Sequence, residues 1–159
     1  MNTVYLLLGS NMGNSPSQLD TARKHISQKI GNIKRESRLY QTAAWGKEDQ
    51  PDFLNQVLIV TTEFSPANLI ELVLSIEKTM GRIRTLKNAP RLIDIDILYF
   101  NKEIIHSKNL VVPHPAISER RFVLIPLNEL SPAFVHPLFH KTNHQMLLEC
   151  TDPLDVKKI

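Results

Sequence analysis

A strict alternation of apolar and acidic residues marks the stretch Leu92-Ile93-Asp94-Ile95-Asp96-Ile97. A period of two is typical of a β-strand, and we predict a strand over Leu92–Phe100. Its isoleucines face one side, where they can pack on helices, while Asp94 and Asp96 share the other side. This pattern predicts a sheet with one face covered by helices and one face open to a ligand.

The elements that precede this strand predict the rest of the fold. Three further strands are expected where apolar and β-branched residues concentrate, at Thr3–Gly9, Ile33–Gln41 and Asn55–Phe64. A first helix is expected with Ser15 as its N-cap, a proline at its first position, Gln18 as the capping-box partner and Gly31 as its stop. A second helix begins after Ser65 and ends at Gly81.

The predicted order of elements is β-α-β-β-α-β, which is that of the ferredoxin-like α+β fold. We therefore expect an antiparallel sheet with the helices on one face and the active site on the other. Further along, we predict a loop over Val111–Pro115 and a short helix over Arg121–Leu130. Residues 140–159 show no pattern that assigns them to an element.

The composition is that of an ordinary globular protein. The chain has 159 residues, of which 42% are hydrophobic and 22% charged, and we expect one domain over residues 1–159. The apolar run Val4–Leu8 is too short for a signal peptide or a membrane span, and the single cysteine suits a reducing compartment. We therefore expect a cytoplasmic protein with no membrane partner. The net charge of +3 is mild and decides nothing about nucleic acid.

The acidic pair on the last strand predicts a metal-phosphate site. Asp94 and Asp96 are two residues apart, so their Cα atoms lie about 6.6 Å from each other, within reach of a shared pair of metal ions. Like charges on one strand face are unfavourable unless a cation compensates them. The alternative is a solvated polar face. We favour Mg²⁺ with a nucleotide phosphate, because the basic residues Arg82, Arg84, Lys87 and Arg91 crowd just upstream.

Two other segments have more than one interpretation. The turn Gly9–Asn14 runs from a strand into a helix, where phosphates often bind, but it lacks the ending of a Walker A loop. We favour a tight turn that starts the helix. Phe53 and Phe122 can be core residues or can stack on a ligand, and composition and spacing leave both open.

Taken together, these motifs resemble one family. The residues that carry the resemblance are Gly9-Ser10-Asn11, the segment Asp49–Asn55, Gly81-Arg82-Ile83-Arg84, the stretch Pro90–Ile97, and Val112-Pro113-His114-Pro115 with Arg120 and Phe122. They are similar, in consistent order over about residues 3–135, to 6-hydroxymethyl-7,8-dihydropterin pyrophosphokinase of folate biosynthesis. The resemblance implies transfer of the β,γ-pyrophosphoryl group of ATP to the pterin hydroxymethyl group, with release of AMP.

The resemblance also implies roles for individual residues. Asp94 and Asp96 would hold two Mg²⁺ ions, and Arg82 and Arg91 would neutralise the group in transfer. The residues implied for the nucleotide are Glu77, Arg84, Ile97, His114 and Arg120. Those implied for the pterin are Thr42, Ala44, Trp45, Phe53, Asn55 and Phe122, with the two phenylalanines stacking on the ring. The partners are then ATP and the dihydropterin, with no nucleic acid, and we expect a monomer.

The chain departs from the family pattern at three points. Ala43 and Ala44 stand where the family usually has prolines, and Pro115 stands where a tyrosine is common. The segment Leu86–Arg91 lacks the usual tryptophan and is one residue shorter. From its polarity we expect Arg82–Arg91 to be a lid that closes on the phosphates.

Three alternatives share parts of the pattern. A metal-dependent nucleotidyl transferase also places paired aspartates on a sheet, but it would need a larger chain. An RNA-recognition module has the same element order, but Asp94 and Asp96 would repel phosphates on its binding face. A regulatory small-molecule domain has no use for paired carboxylates beside arginines.

Overall fold

The computed structural model describes residues 1–43, 50–81 and 92–159. The strands in these ranges are β1 (Asn2–Ser10), β2 (Gly31–Glu36), β3 (Tyr40–Thr42), β4 (Phe53–Thr62), β5 (Asp94–Phe100), β6 (Ile105–His106), β7 (Val111–Val112) and β8 (Val156–Lys158). The helices are α1 (Ser15–Lys29), α2 (Pro66–Thr79), α3 (Arg121–Leu130) and α4 (Asn143–Glu149), with a 3₁₀ turn at Ile117–Glu119.

The main sheet has the strand order β5-β1-β4-β3-β8, and β2 pairs with β4 beside β3. Each pairing in it is antiparallel. The strands β6 and β7 form a separate antiparallel pair. The prediction of an α+β protein with an antiparallel sheet is confirmed.

The first core lies between the sheet and the two helices α1 and α2. It is formed by alternate residues of the central strands and by the apolar sides of the helices, including Leu6, Leu8, Leu19, Ile26, Leu69, Val73, Ile76, Ile93, Ile95 and Ile97. Ile93, just before β5, and Ile95 and Ile97 within it are at most 4% exposed, as the alternation predicted. Their burial fixes the side of β5 on which Asp94 and Asp96 must lie.

The second core covers part of the opposite sheet face, which we had expected to be open. Its members come from the same strands, the 3₁₀ turn and the helices α3 and α4, and include Tyr5, Leu7, Val57, Ile59, Leu98, Tyr99, Ile117, Leu124, Leu127 and Met146. A register shift in the pairing of β1 with β5 aligns Tyr5 with Tyr99 and Leu6 with Ile97. This bulge allows two successive residues of β5, Leu98 and Tyr99, to enter the second core.

Several predicted boundaries are corrected by the structure. The strand expected over Ile33–Gln41 is two strands, because Ser37 lies between them and its hydroxyl accepts a hydrogen bond from the amide of Val57 at 2.9 Å. The N-cap of α1 is Asn14 rather than Ser15, since the Asn14 side chain accepts from the Ser17 amide. The fourth strand begins at Phe53 and ends at Thr62, two residues earlier at each end than expected.

The chain after residue 100 is more ordered than its sequence indicated. The segment expected to be a loop includes β7, and Val112–Pro113 is a cis peptide bond. The helix expected over Arg121–Leu130 is confirmed. Within the described ranges, no helix is both long and apolar enough to cross a membrane.

Candidate active site

A pocket of about 600 Å³, its open mouth included, lies on the sheet face that carries the second core, at the end which that core leaves uncovered. Its floor is a row of three residues on neighbouring strands, where Gly9 of β1 is directly opposite Asn55 of β4 and Asp94 of β5. The full lining among the described residues is Leu7, Gly9, Thr42, Ala43, Phe53, Asn55, Asp94, Asp96, Arg120 and Phe122.

Gly9 makes this floor possible because it has no side chain. A Cβ atom at this position would lie 3.2 Å from Oδ1 of Asn55 and 3.7 Å from Cδ1 of Phe53. The first distance is tighter than ordinary packing allows, so a larger residue would displace the Asn55 amide. The glycine therefore keeps the centre of the pocket free between an amide side and a carboxylate side.

The carboxylate side of the pocket is formed by Asp94 and Asp96. Both residues are partly exposed, alternate with the buried Ile93 and Ile95, and line the pocket. Carboxylate oxygens are the ligands that Mg²⁺ prefers in proteins, so this donor pair fits the predicted ion. The structure thus brings the two predicted metal ligands together on one pocket wall.

The aromatic residues predicted to bind a ligand are both at the pocket. Phe53 is half-buried and belongs to neither core. Phe122 is half-buried as well, but it also packs against the second core. The guanidinium carbon of Arg120 lies 5.9 Å from the centre of the Phe122 ring, within cation–π range. Of the two interpretations left open for these residues, the ligand-facing one fits Phe53 fully and Phe122 in part.

Asn55 carries an unsatisfied donor at the pocket floor. Its residue is 3% exposed, and its Nδ2 atom has no hydrogen-bond partner among the described residues. A buried amide donor without a partner costs about 1–3 kcal/mol, and a ligand acceptor would recover that cost. The atom is therefore suited to read a polar edge of a bound ring.

The turn after β1 holds the segment that leads into Phe53. Asn11 is 3% exposed, and its Nδ2 atom donates to Oε1 of Gln50 at 3.0 Å and to the carbonyl of Pro51 at 3.2 Å. The interpretation of Gly9–Asn14 as a turn that starts a helix agrees with the cap at Asn14. No pattern in the sequence indicated that the turn also anchors one pocket wall.

His114 lies beside the carboxylate side of the pocket. Its main-chain amide donates to the Leu98 carbonyl at 3.0 Å, and its Nδ1 atom accepts from the Ala116 amide at 3.1 Å. Burial, reinforced by the positive charge of Arg120, lowers the pKa of His114, and Asp94 opposes this shift weakly. The ring is therefore neutral near pH 7, and with Nδ1 as acceptor its proton is on Nε2, where it can be donated to an anion.

Two residues predicted on the nucleotide side do not line the pocket. Glu77 is 2% exposed on α2, and its Oε2 atom accepts a hydrogen bond from the Ile95 amide at 2.7 Å. Ile97 is 4% exposed in the first core. Glu77 therefore supports the backbone of β5 between the two aspartates, and a nucleotide contact of either residue stays a prediction.

The remaining predicted residues fall outside the described ranges. These are Ala44 and Trp45 on the pterin side and Arg82, Arg84 and Arg91 on the phosphate side, together with the expected lid. Thr42 is described and lines the pocket, but its hydroxyl donates to the Asp155 carbonyl at 3.2 Å. Gly9 and Asn11 were predicted as part of a turn and of the family resemblance but not as pocket residues, although a glycine at the end of a strand is a signal of close approach.

The fold and the pocket together define a class of protein. It is an α+β protein whose pocket is lined by a carboxylate pair, an arginine, two aromatic rings and a buried amide. A neutral histidine lies close enough to the arginine and to Asp94 to interact with both charges. Such a pocket suits an enzyme that brings a phosphorylated substrate to a flat polar ring.

Comparison with known proteins identifies the family. The family model of 7,8-dihydro-6-hydroxymethylpterin-pyrophosphokinase (HPPK) matches residues 5–132. The 2-amino-4-hydroxy-6-hydroxymethyldihydropteridine pyrophosphokinase of Aquifex aeolicus is 41% identical over 141 residues, which cover 89% of this chain and 88% of that protein. The chain belongs to the HPPK family.

Other relatives are longer than this chain. The folic acid synthesis protein FOL1 of Dictyostelium discoideum is 38% identical over 92% of this chain, but the match covers only 22% of that protein. A crystal structure of Plasmodium falciparum HPPK-DHPS has a TM-score of 0.76 and 20% identity, covering 94% of this chain and 43% of that chain. This structural likeness supports the fold.

Proposed function

We propose that this protein transfers pyrophosphate from ATP to the hydroxymethyl group of 6-hydroxymethyl-7,8-dihydropterin, with the pterin diphosphate and AMP as products. Membership in the HPPK family and relatives of the same name at about 40% identity support a pyrophosphokinase of folate biosynthesis. The observation that carries the proposal is the placement of Asp94 and Asp96 opposite Phe53 and Asn55 in one pocket. It favours this activity over the three alternatives raised by the sequence.

The pterin is proposed to bind between Phe53 and Phe122. A flat heterocycle gains dispersion and electrostatic energy when it stacks on aromatic rings. Asn55 lines the same pocket, and its unpartnered Nδ2 donor can bond an acceptor on the pterin edge. Such a buried donor discriminates strongly against ring systems that lack the acceptor. Thr42, Ala44 and Trp45 are proposed to complete this side.

The phosphate side is proposed to involve Asp94 and Asp96 as ligands of two Mg²⁺ ions. When bound, Mg²⁺ neutralises negative charge that would otherwise oppose attack on a phosphate. The two carboxylates would fix the position of the ions relative to the pterin, because their strand is held by β1 on one side and by the Glu77 carboxylate at Ile95. Catalysis of this kind depends on positioning and charge stabilisation more than on covalent chemistry.

Positively charged and hydrogen-bonding groups are proposed to hold the triphosphate. His114 donates from Nε2, and the Arg120 guanidinium can reach oxygens beside it. Arg82 and Arg91 are proposed to neutralise the transferring group, and Arg84, Glu77 and Ile97 to lie along the nucleotide. In the reaction the pterin hydroxyl oxygen bonds to the β-phosphorus, the bond to the AMP oxygen breaks, and the hydroxyl proton is released.

We also propose that the sheet has a ferredoxin-like topology. Strand order β5-β1-β4 with β2 and β3 beside β4 supports a ferredoxin-like arrangement extended by α3, α4 and β8. In this arrangement the active site shares its sheet face with the second core. We further propose a single pyrophosphokinase domain over residues 1–159 that acts as a cytoplasmic monomer, as the sequence predicts.

The proposal is tested by product analysis. The protein is incubated with ATP, Mg²⁺ and 6-hydroxymethyl-7,8-dihydropterin, and the nucleotides are separated chromatographically. We expect AMP to appear in an amount equal to the pterin diphosphate, and only when the pterin is present. Formation of ADP, or AMP formation that does not depend on the pterin, would contradict the proposal.

A further inference from the structure

The C-terminal residues contact both walls of the pocket, although they do not line it. They lie beyond residues 5–132, which the family model covers, and no sequence pattern assigned them to an element or a role. The contacts come from two places in this segment, Asp152 and the strand β8. We define residues 152–158 as the C-terminal brace.

Asp152 caps the helix α3 from a distance of thirty-one positions along the chain. The residue that precedes α3, Arg120, makes no capping hydrogen bond with its own side chain. Instead, Oδ2 of Asp152 accepts from the Arg121 amide at 3.0 Å, and the Arg121 Nε atom donates to the Asp152 carbonyl at 3.2 Å. A carboxylate here satisfies an amide that the helix leaves open and is favoured by the helix dipole.

The geometry of Asp152 itself is fixed by the brace. The residue is 4% exposed, and its second carboxylate oxygen accepts from the Leu154 amide at 3.0 Å. Each oxygen thus has a main-chain donor, as a buried carboxylate requires. The start of α3 is therefore tied to a carboxylate that is itself held by the Leu154 amide.

The pocket residues Arg120 and Phe122 flank the capped residue Arg121. Both line the pocket, and Phe122 lies in the first turn of α3. Fixing the main chain of Arg121 therefore fixes the direction in which the Phe122 ring and the Arg120 guanidinium leave the backbone.

The brace also holds the opposite wall. Its strand β8 pairs with β3, placing Thr42 opposite Val156, and the Thr42 hydroxyl donates to the Asp155 carbonyl at 3.2 Å. Thr42 lines the pocket on the side that leads to Phe53, with which it is paired across β3 and β4. One short segment is thus bonded to Thr42 on one wall of the pocket and, on the other wall, to Arg121, which lies between Arg120 and Phe122.

We propose that Asp152 is a positioning residue for pterin binding. By capping α3 from the brace, it sets the separation between the Phe122 wall and the Thr42 wall, into which the flat ring must fit. This inference rests on the proposed placement of the pterin between Phe53 and Phe122. A stacking site needs its two sides held at a fixed spacing, so loosening one side weakens binding of the ring before it affects the nucleotide.

The test compares Asp152→Asn and Asp152→Ala with the unchanged protein. Asparagine keeps one side-chain acceptor, enough for the main-chain amide of either Arg121 or Leu154, and alanine keeps none. Loss of an N-cap weakens a helix start by about 0.5–2 kcal/mol, which corresponds to about 2- to 30-fold in an equilibrium constant. We expect Kd for 6-hydroxymethylpterin and KM for the dihydropterin to rise within this range, more for alanine. KM for Mg-ATP should rise by a smaller factor, because Arg120 lies at the same helix start.

A matched control separates positioning from general stability. Thr142→Ala removes the capping box of α4, which does not line the pocket. It is expected to lower Tm while leaving the pterin Kd unchanged. The inference is overturned if the Asp152 variants lower Tm but keep the pterin Kd, or if Thr142→Ala weakens pterin binding by the same factor. If Asp152→Ala does not fold, Asp152→Asn decides the question.

Phe122→Ala distinguishes failure of this inference from failure of the pterin placement. If Phe122→Ala weakens pterin binding and the Asp152 variants do not, only the role of Asp152 is wrong. If Phe122→Ala leaves the pterin Kd unchanged, the proposed placement of the ring is wrong, and the role of Asp152 falls with it.

Discussion

Two halves of one sheet face use the same three strands in opposite ways. In the covered half, Tyr5 of β1 is paired with Ile59 of β4 and Tyr99 of β5. The rings of Tyr5 and Tyr99 meet edge to face at 5.4 Å, and Phe134 packs on Tyr99 at 4.4 Å. The Tyr99 hydroxyl donates to Oδ1 of Asn143 at 2.8 Å, so the polar group within this cluster is satisfied.

The open half begins one pleat beyond Leu7. Its row consists of Gly9, Asn55 and Asp94 on the same strands, with the pairing to β4 in the same register and the pairing to β5 shifted by the bulge. Here Gly9 has no side chain, Asn55 has an unpartnered donor and Asp94 is acidic, and all three line the pocket. The comparison teaches that stability and ligand binding are separated along each strand. Substitutions in the covered half should therefore change stability, and those in the open half should change activity.

The largest effect is expected from the carboxylates of the open half. Asp94→Ala and Asp96→Ala should each lower kcat at least about a hundredfold, or about 3 kcal/mol in the transition state, since the phosphate side loses its metal ligands. Melting temperatures should stay close to that of the parent, because both side chains are partly exposed. Near-normal turnover of either variant at saturating Mg²⁺ would show that the assignment is wrong.

The covered half should give the reverse result. Met146 is 3% exposed in the second core, and Met146→Ala should lower the free energy of unfolding by about 2–5 kcal/mol. Both KM values should remain unchanged at a temperature where the variant is folded. Chemical denaturation together with steady-state kinetics provides the measurement. A raised pterin KM with unaltered stability would break the division between the two halves.

A smaller effect is expected from the aromatic residues. Phe53→Ala should weaken pterin binding by about 1–3 kcal/mol, by analogy with base stacking, and should cost less stability than the about 3–5 kcal/mol of a core phenylalanine. Phe122→Ala should lower both the affinity for the pterin and the stability, because Phe122 packs against the second core as well. Pterin titrations and thermal melts of the two variants check this difference. If both variants lose the same stability and keep their affinity for the pterin, both phenylalanines are core residues and not ligand-binding residues.

The smallest effect concerns pH. Burial lowers the pKa of both His114 and His136, and His140 adds to the shift at His136. Because the folded protein resists protonation, stability that is present above the ordinary histidine pKa of 6.5 should be lost as the pH falls below it. Urea unfolding at a series of pH values measures this decline.

A single variant at His136, whose ring contacts Tyr99 of the covered half at 5.8 Å, tests how much this residue contributes to the loss of stability at low pH. Nδ1 of His136 accepts from the amides of Leu138 and Phe139 at 3.2 and 3.0 Å. Asparagine can accept from the same positions without titrating, so His136→Asn should flatten the decline even if its stability at neutral pH is lower. An unchanged dependence on pH would show that His136 does not contribute.

The parts of the fold that the sequence predicted are those with local signals. The alternation around Asp94 and the apolar periodicity of α1 and α2 lie within short windows, and they correctly placed the first core, although the N-cap of α1 is one residue earlier than predicted. The split of the predicted strand at Ser37 depends on a hydrogen bond to Val57, twenty residues away, which no local pattern contains. The second core depends on α3 and α4 folding back over the sheet, and this was not foreseen.

The same distinction applies to the site. Asp94, Asp96, Phe53, Asn55 and Phe122 were found through motifs and resemblance, and the structure brings them to one pocket. The capping box at the start of α4, with Gln145 three residues after Thr142, was a usable signal that was overlooked. The cap that Asp152 provides for Arg121 spans thirty-one positions and had no signal in the sequence.

The most direct test of the central claim is a titration with 6-hydroxymethylpterin, the oxidised analogue of the substrate, followed by amide chemical shifts. If the open half is the ligand site, shifts should be concentrated at Gly9, Phe53 and Asn55, while Tyr5 and Tyr99 in the covered half stay unchanged. Shifts centred on the covered half, or saturable binding with no change at Gly9 and Asn55, would contradict the account.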